Sequence, residues 1–270
     1  MTWDFDTAAP NVARIYDALL GGKDNFQVDR AAVEMILKVV PTAGLAAREN
    51  RGFLSRAVTW LAADAGIRQF LDIGSGLPTQ DNTHQVAQRA AENTRIVYVD
   101  ADPLVVTHGR AMMTADRPDQ TVDVAQGNLL DPDDIIAQAR RTLDFSQPVA
   151  VLLVAILHFI PDTADPWHIC KTLMEAVPPG SALVVSHATG DGFPGAADAA
   201  EEIQKVYAQS TAGGVSPRTR ADVLRFFDGM DLVGPGLGDV AQWQQDKATI
   251  RTQFYGCVGL KRLPRRQRRS

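Results

Sequence analysis

Asp72, Gly74, Gly76 and Asp100 are the residues of this chain whose types and spacing first point to chemistry. In the stretch FLDIGSGLPTQDN (residues 70–82), an apolar run ends at an acid and passes straight into Gly-Ser-Gly. Glycines let a backbone approach a ligand with no Cβ in the way and admit positive φ. Asp100 ends the next apolar run, where an acid can accept the hydroxyls of a ribose. The dinucleotide fingerprint GxGxxG is incomplete, because the stretch from Gly74 reads G-S-G-L-P-T and Thr79 takes the place of the third glycine. That glycine serves helix–strand packing over a pyrophosphate, so a dinucleotide is disfavoured. The phosphate-binding pattern GxxxxGK[ST] is also missing. Asp72, an acid inside the loop, suits a cationic ligand group better than a phosphate. A tight strand-to-helix turn with no ligand would use the same glycines.

The elements that must position these residues follow from two alternating periods. Val33, Ile36, Leu37 and Val40 recur at helical spacing, as do Leu54, Ala57, Val58 and Leu61 within a predicted helix over 46–63. Strand-length apolar runs then occupy 69–73, 95–100, 122–126, 149–154 and 182–186, separated by helical patterns over 82–92, 103–115, 132–143 and 166–177. This alternation predicts an α/β fold, a doubly wound and mostly parallel sheet. The runs at 149–154 and 182–186 are apolar on both faces, as central strands covered by helices must be. Helices are predicted over 196–209 and 218–227, the latter opened by Ser216-Pro217. Two strand-like runs, 232–233 and 253–261, would close the sheet as an edge hairpin. The organisation read from this is an N-terminal helical cap (1–65), a ligand-binding domain (66–262) and a basic tail (263–270).

Composition narrows the function classes. The chain has 270 residues, 45% of them apolar, and a formal net charge of -5. That balance disfavours nucleic acid as the main partner. Its longest apolar run, 149–157, is far short of the roughly 20 residues that a membrane helix needs. The start, MTWDFDTAAP, lacks the basic-then-apolar pattern of a secretory signal, and Cys170 and Cys257 lie in apolar patterns outside any CxxC pair. A cytoplasmic protein with two buried free thiols is expected. The five histidines show no paired metal-ligand spacing, and no metal is expected.

Taken in order, these motifs resemble the class I S-adenosylmethionine-dependent methyltransferases. LDIGSG (71–76) and VYVDADP (97–103) look like the first two motifs of that class, and AQGNLLDP (125–132) like the loop that reads adenine. VAVLLVAILHFIPD (149–162) and AVPPGSALVVSH (176–187) resemble its fourth and fifth strands. ARIYDALLGGKDNFQVDR (13–30) and RENRGFLSRAV (48–58) are similar to a narrower bacterial family of methyltransferases of unknown substrate. The resemblance implies a seven-stranded sheet with an antiparallel last strand and S-adenosyl-L-methionine as cofactor. It implies that Asp72, Gly74, Ser75 and Gly76 lie under the amino-acid part of the cofactor and that Asp100 holds the ribose. Ala101 or Asp102 would flank the adenine, and Asn128 and Leu129 would meet its edge. Asn128 stands where that class commonly has Asp, and keeps a carbonyl acceptor.

Methyl transfer from a sulfonium is an in-line displacement whose leaving group is already activated, so alignment can supply most of the catalysis. A base is needed only where the acceptor must lose a proton early. His158, just past the fourth strand, is the expected base, with His187 at the same edge as a weaker candidate. Tyr16, a second catalytic candidate, and the cofactor-binding candidates Lys23 and Asn25 flank the Gly21-Gly22 break and are expected to fold over the cofactor, and Arg51 could reach its carboxylate. The acceptor expected is a small molecule, and the sequence allows a homodimer. A cofactor-binding regulator without transfer chemistry and a NAD-dependent oxidoreductase are the rival readings.

Overall fold

The computed structural model describes residues 8–78, 81–113, 120–191, 196–245 and 251–263. Thr79, Gln80 and, apart from Leu263, the expected basic tail lie outside the described residues. Three helices come first: α1 (Val12–Leu19), α2 (Gln27–Val39) and α3 (Ala43–Ala63). The sheet region alternates β1 (Gln69–Ile73), α4 (Thr83–Ala90), β2 (Arg95–Asp100), α5 (Pro103–Met112), β3 (Thr121–Gln126), α6 (Pro132–Ala139), β4 (Val149–Val154), α7 (Pro166–Ala176) and β5 (Ala182–Ala188). It ends with α8 (Ala196–Ala208), α9 (Arg220–Leu224), β6 (Met230–Leu232), β7 (Gly238–Asp239) and β8 (Phe254–Lys261).

The strand order is β3-β2-β1-β4-β5-β8-β6, with β7 also paired to β8. β1 to β5 run parallel, and β8 is antiparallel to β5, β6 and β7. The expected mostly parallel sheet with an antiparallel end is therefore present. It gains an eighth strand, β7, whose two residues are too short to leave an apolar pattern.

Local chemistry sets the helix starts that face the ligand edge. α5, α6 and α7 each begin with an Asp cap followed by Pro: Asp102-Pro103, Asp131-Pro132 and Asp165-Pro166. The carboxylate takes an orphan N–H of the first turn, and Pro needs no such partner there. α4 is capped by Asn82 in a reciprocal arrangement with Gln85. The helix expected over 218–227 starts later, at Arg220, with Thr219 as its cap, and passes into a 3-10 turn over Arg225–Phe227. Arg218 precedes that cap, with its backbone N–H on the Ala188 carbonyl and its buried side chain tied to the carbonyls of Leu157 and Ile160.

Two cores sandwich the sheet. On one face α3 contributes Phe53, Leu54, Ala57, Val58 and Leu61, packed with Phe70, Ile96, Tyr98, Leu152 and Val184 of the strands. On the other, Leu71, Val151, Leu153 and Leu183 pack with residues of α6 and α7 such as Ile135, Ile169 and Leu173. Each such aliphatic or aromatic side chain contributes about 1.5–3 kcal/mol by leaving water. A third, smaller cluster joins Ile15 of α1, Val33 and Ile36 of α2, and Val206 of α8. Cys170 and Cys257 are buried and unpaired. Among the described residues no helix is long and apolar enough to cross a membrane.

Candidate functional site

The carboxyl ends of the parallel strands open into a cleft of about 880 Å³, roofed by α1, α3 and α8. Asp72, Gly74, Ser75, Gly76, Asp100, Ala101, Asp102, Asn128, Leu129, Tyr16 and His158 all border it, although they come from five separate stretches of sequence.

Gly74 and Gly76 both have left-handed backbones, φ +72° and +67°. They differ in what a side chain would meet. A Cβ on Gly74 would lie 2.7 Å from the Ile156 side chain, whereas a Cβ on Gly76 would meet no atom within 4 Å and would occupy open cleft. Gly74 is therefore a packing requirement, and Gly76 leaves a space that a ligand can use.

Asp100 fixes this turn. Its Oδ2 accepts the Gly76 N–H at 3.0 Å and its Oδ1 accepts the Asp102 N–H at 3.0 Å. Each oxygen keeps a lone pair for a ligand hydroxyl. Burial raises the pKa of Asp100, and the hydrogen bonds from Asp102 and Gly76 work against that rise. Asp102 caps α5 and also accepts from Asn11 Nδ2 at 2.6 Å, which ties the start of α1 to the end of β2. Asp72 is buried, and its Oδ2 accepts from Thr83 Oγ1 at 2.6 Å. Burial lifts its pKa to about 6, against the lowering effects of the Thr83 hydrogen bond and the Arg51 charge. Arg51 lines the same cleft and donates to the Asp81 carbonyl at 2.9 Å. Asn128 is exposed, and its Oδ1 already accepts the Leu130 N–H at 3.0 Å in a local turn. Leu129 is buried in the core beside it.

The two histidines differ from the expected base. The His158 ring is buried, and its Nδ1 takes the Ala188 N–H at 3.3 Å. An imidazole that accepts through Nδ1 carries its proton on Nε2, so the remaining nitrogen is a donor. Burial and the neighbouring His187 and Arg218 hold the pKa of His158 well below the usual value. His187 does not border the cleft. Its Nδ1 donates to the Ala188 carbonyl at 2.7 Å, and its Nε2 accepts from Arg218 at 3.0 Å. Burial lowers its pKa to about 4. Both imidazoles are thus neutral, and both ring nitrogens of His187 are used.

Arg218 was not among the residues singled out from sequence. Its guanidinium donates to the carbonyls of Leu157 and Ile160 at 2.9 and 2.8 Å and pairs with Asp162. It lies over the rings of Trp167 and Phe226, at 5.1 and 5.8 Å. It thereby pins the loop after β4 to the end of β5. In that loop Ala155 sits at φ +57°, with its N–H held by the Ser186 carbonyl and hydroxyl at 3.1 and 2.9 Å. A left-handed alanine costs on the order of 1 kcal/mol, and such strain persists where the surroundings impose it.

On the roof, the Tyr16 hydroxyl donates to the Ala47 carbonyl at 3.1 Å and accepts from Asn50 Nδ2 at 2.9 Å. Burial raises its pKa. Asn50 was also missed from sequence. It borders the cleft, and its Oδ1 is buried without a hydrogen-bond partner. Such a group is destabilising unless a ligand completes it. Its one sequence signal was a polar residue on the Leu54–Leu61 face of α3. Lys23 and Asn25 do not border the cleft. Lys23 is exposed, and Asn25 Nδ2 is held by Asp17 Oδ2 and the Gly22 carbonyl at 2.8 and 2.9 Å.

The residues present fit S-adenosylmethionine. There is an open glycine cradle, carboxylates on either side of it, a cation at Arg51 and an unpaired acceptor at Asn50. The family described as S-adenosyl methyltransferase matches residues 2–262. A DUF574 family protein from Streptomyces avermitilis is 37% identical, with a TM-score of 0.88 over 95% of this chain and 99% of that one. A provisionally assigned methyltransferase from Thermobifida fusca is also 37% identical, with a TM-score of 0.87 over 97% of this chain and 100% of that one. An O-methyltransferase family protein from Burkholderia thailandensis, 16% identical with a TM-score of 0.51 over 82% of this chain and 60% of that one, shares the fold alone. No curated protein matches the chain.

Proposed function

We propose, for a chain that belongs to the S-adenosyl methyltransferase family and is an S-adenosylmethionine-dependent enzyme, that the cofactor lies at the ends of β1, β2 and β3 and a small-molecule acceptor beneath α8. The observation that carries this reading is the open space at Gly76, set between the carboxylates of Asp72 and Asp100. In this assignment Gly74, Ser75 and Gly76 pass under the amino-acid part, with Asp72 and Asn50 Oδ1 turned toward its ammonium and Arg51 toward its carboxylate. Asp100 receives the ribose hydroxyls. Ala101 and Asp102 flank the adenine, and Asn128 and Leu129 meet its edge. With Oδ1 engaged by Leu130, Asn128 has its amide N–H and one lone pair to offer. Lys23 and Asn25 are left out of direct contact.

Held by Gly74–Gly76, Asp72, Asn50, Arg51 and Asp100, S-adenosylmethionine would supply a methyl group on a positively charged sulfur that needs no further activation as a leaving group. The chain's own residues align the reactants, exclude water and hold hydrogen-bond donors at fixed places. His158 serves as one of those donors. Tyr16, whose hydroxyl already donates and accepts, shapes the wall between the two halves. The rival oxidoreductase reading is set aside by the family, and no observation favours a regulator that has lost transfer chemistry. We place the enzyme in the cytoplasm.

The test is titration calorimetry with S-adenosylmethionine, S-adenosylhomocysteine and NAD. The first two are expected to bind and NAD not to compete. Asp100→Ala is expected to weaken binding at least tenfold, since it loses the ribose contact and frees the Gly76 turn. Equal binding by that variant would refute the site assignment.

A further inference from the structure

The cleft is charged at one end. Asp72, Asp100 and Asp102 border it at the ends of β1 and β2 and Arg51 from α3, whereas Arg14 and Asp17 of α1, a helix that also packs on α8, are engaged within the chain, Arg14 by Asp29 and Asp17 by the Asp24 N–H and Asn25. The sheet order puts those strand ends on one side of β4. On the other side, the wall made by the β4 and β5 ends, α8, the 211–217 segment and the start of β8 carries no Asp, Glu, Lys or Arg among the described lining residues. It carries rings. Phe159 lies 4.4 Å from the His158 ring and 5.2 Å from the Tyr207 ring, and Phe254 is 5.7 Å from His158. The remaining wall is small or aliphatic, as at Ile156, Ala200 and Val215.

Two polar groups interrupt this surface. Nε2 of His158 is the protonated nitrogen, as argued above from its Nδ1 contact. The Tyr207 hydroxyl meets no hydrogen-bond partner among the described residues, although α8 holds its ring against Phe159 at the border of the cleft. Half-buried at the border of the cleft, this hydroxyl is open to a ligand there while its ring is held in place. The two groups flank the Phe159 ring, and neither has a charge to offer.

We propose that this half of the cleft is the acceptor site, and that its acceptor is an uncharged, ring-bearing small molecule with a hydroxyl that meets Tyr207 and His158; this rests on the cofactor assignment above. An ionised acceptor would lose its hydration in a wall that holds no opposite charge, which is a heavy cost. A flat apolar ring instead meets rings that favour offset or edge contacts. A hydroxyl uses both polar groups, accepting from His158 Nε2 and donating to or accepting from Tyr207. Specificity in this site would come from the cost of leaving those groups unmet by a ligand that lacks the hydroxyl.

The experiment uses the full chain loaded with S-adenosylhomocysteine and titrated with 2-naphthol, naphthalene, 2-naphthoate and 2-(aminomethyl)naphthalene, followed by fluorescence. Naphthol is expected to bind, and both charged analogues to bind at least tenfold more weakly. Tyr207→Phe is expected to weaken naphthol at least threefold while leaving naphthalene unchanged. Val215→Lys, which puts a cation on the cleft wall outside regular helix and strand, is expected to turn the preference toward naphthoate. Charged analogues that bind the native chain as well as naphthol would overturn the proposal, as would a Tyr207→Phe loss equal for naphthol and naphthalene. Loading is measured separately, so a failure to bind S-adenosylhomocysteine counts against the cofactor assignment, and normal loading without naphthol binding counts against the acceptor class alone.

Discussion

Cofactor affinity should fall steeply as the pH drops through 6, and Asp72 should be the reason. Burial lifts the pKa of this carboxyl from 3.8 to about 6 in the free chain. A ligand bearing an ammonium and a sulfonium favours the ionised form. If only that form binds, the apparent dissociation constant is the intrinsic one divided by the ionised fraction. That fraction is about one half at pH 6 and about one eleventh at pH 5, so affinity should drop roughly tenfold between pH 8 and pH 5. Binding at pH 6 should release about half a proton, seen as a heat that depends on the ionisation enthalpy of the buffer. Asp72→Asn should flatten the profile, which separates Asp72 from Asp100, whose pKa is also raised by burial.

The same shift fixes the sign of the stability effect. A folded-state pKa above the unfolded value means that the folded chain holds more protons between about pH 4 and pH 6, so stability falls as pH rises across that window. The loss reaches about 3 kcal/mol above pH 6, at about 1.4 kcal/mol per pKa unit. Asp72→Asn, which can still accept from Thr83, should therefore be more stable than the native chain at pH 7 while binding cofactor at least tenfold more weakly. Calorimetry at pH 5 to 8, with denaturant unfolding at pH 4 and pH 7, measures both. Affinity independent of pH with no proton release would refute the reasoning.

Two other substitutions separate packing from binding in the same cleft. Gly76→Ala should cost stability only about 1 kcal/mol for its left-handed backbone and should abolish tight cofactor binding, whereas Gly74→Ala should cost more, because its Cβ meets Ile156 at 2.7 Å; thermal unfolding beside calorimetry reads the contrast. Asn50→Leu removes a buried unpaired oxygen together with one hydrogen bond to the Tyr16 hydroxyl, effects that oppose each other, so it should shift stability by no more than about 1 kcal/mol yet weaken cofactor binding about tenfold, and a large stability loss with binding intact would assign Asn50 to the core instead.

The strands and the glycine turn were legible because their signals are local. Both faces of β4 and β5 are covered, and that leaves unbroken apolar runs in the sequence. The Gly-Ser-Gly turn and the acid ending β2 sit at positions that the chain direction alone places at one sheet edge. Asn50, Tyr207 and Arg218 were not legible, because what distinguishes them is a partner elsewhere in the chain or the lack of one. Arg218 reads as an ordinary surface residue after a Ser-Pro pair until the carbonyls of Leu157 and Ile160 are brought to it. β7 escaped because two residues carry no period. Lys23 and Asn25 present the opposite case, standing outside the cleft. Their polar character in a glycine-rich segment looked like ligand chemistry, but Asp17 takes up Asn25 and the backbone N–H of Asp24 in a local turn.

The fate of His158 carries the larger lesson about mechanism. A histidine past the fourth strand looks like a base when only its place in the chain is known. In the fold it is wedged among the rings of Phe159, His187 and Phe254, and its Nδ1 is committed to the Ala188 N–H. Arg218 adds a buried positive charge nearby, which opposes protonation of both imidazoles. Every element of that arrangement removes basicity from an imidazole at the border of the cleft. What it provides is rigidity: the loop after β4, including the left-handed Ala155, is held from both sides by Ser186 and Arg218. A displacement with a good leaving group needs alignment to a few tenths of an ångström more than it needs a proton acceptor. The strained, doubly anchored loop and the neutral imidazole are therefore held as one rigid edge, which in the acceptor site proposed above would supply alignment and a hydrogen-bond donor rather than a base.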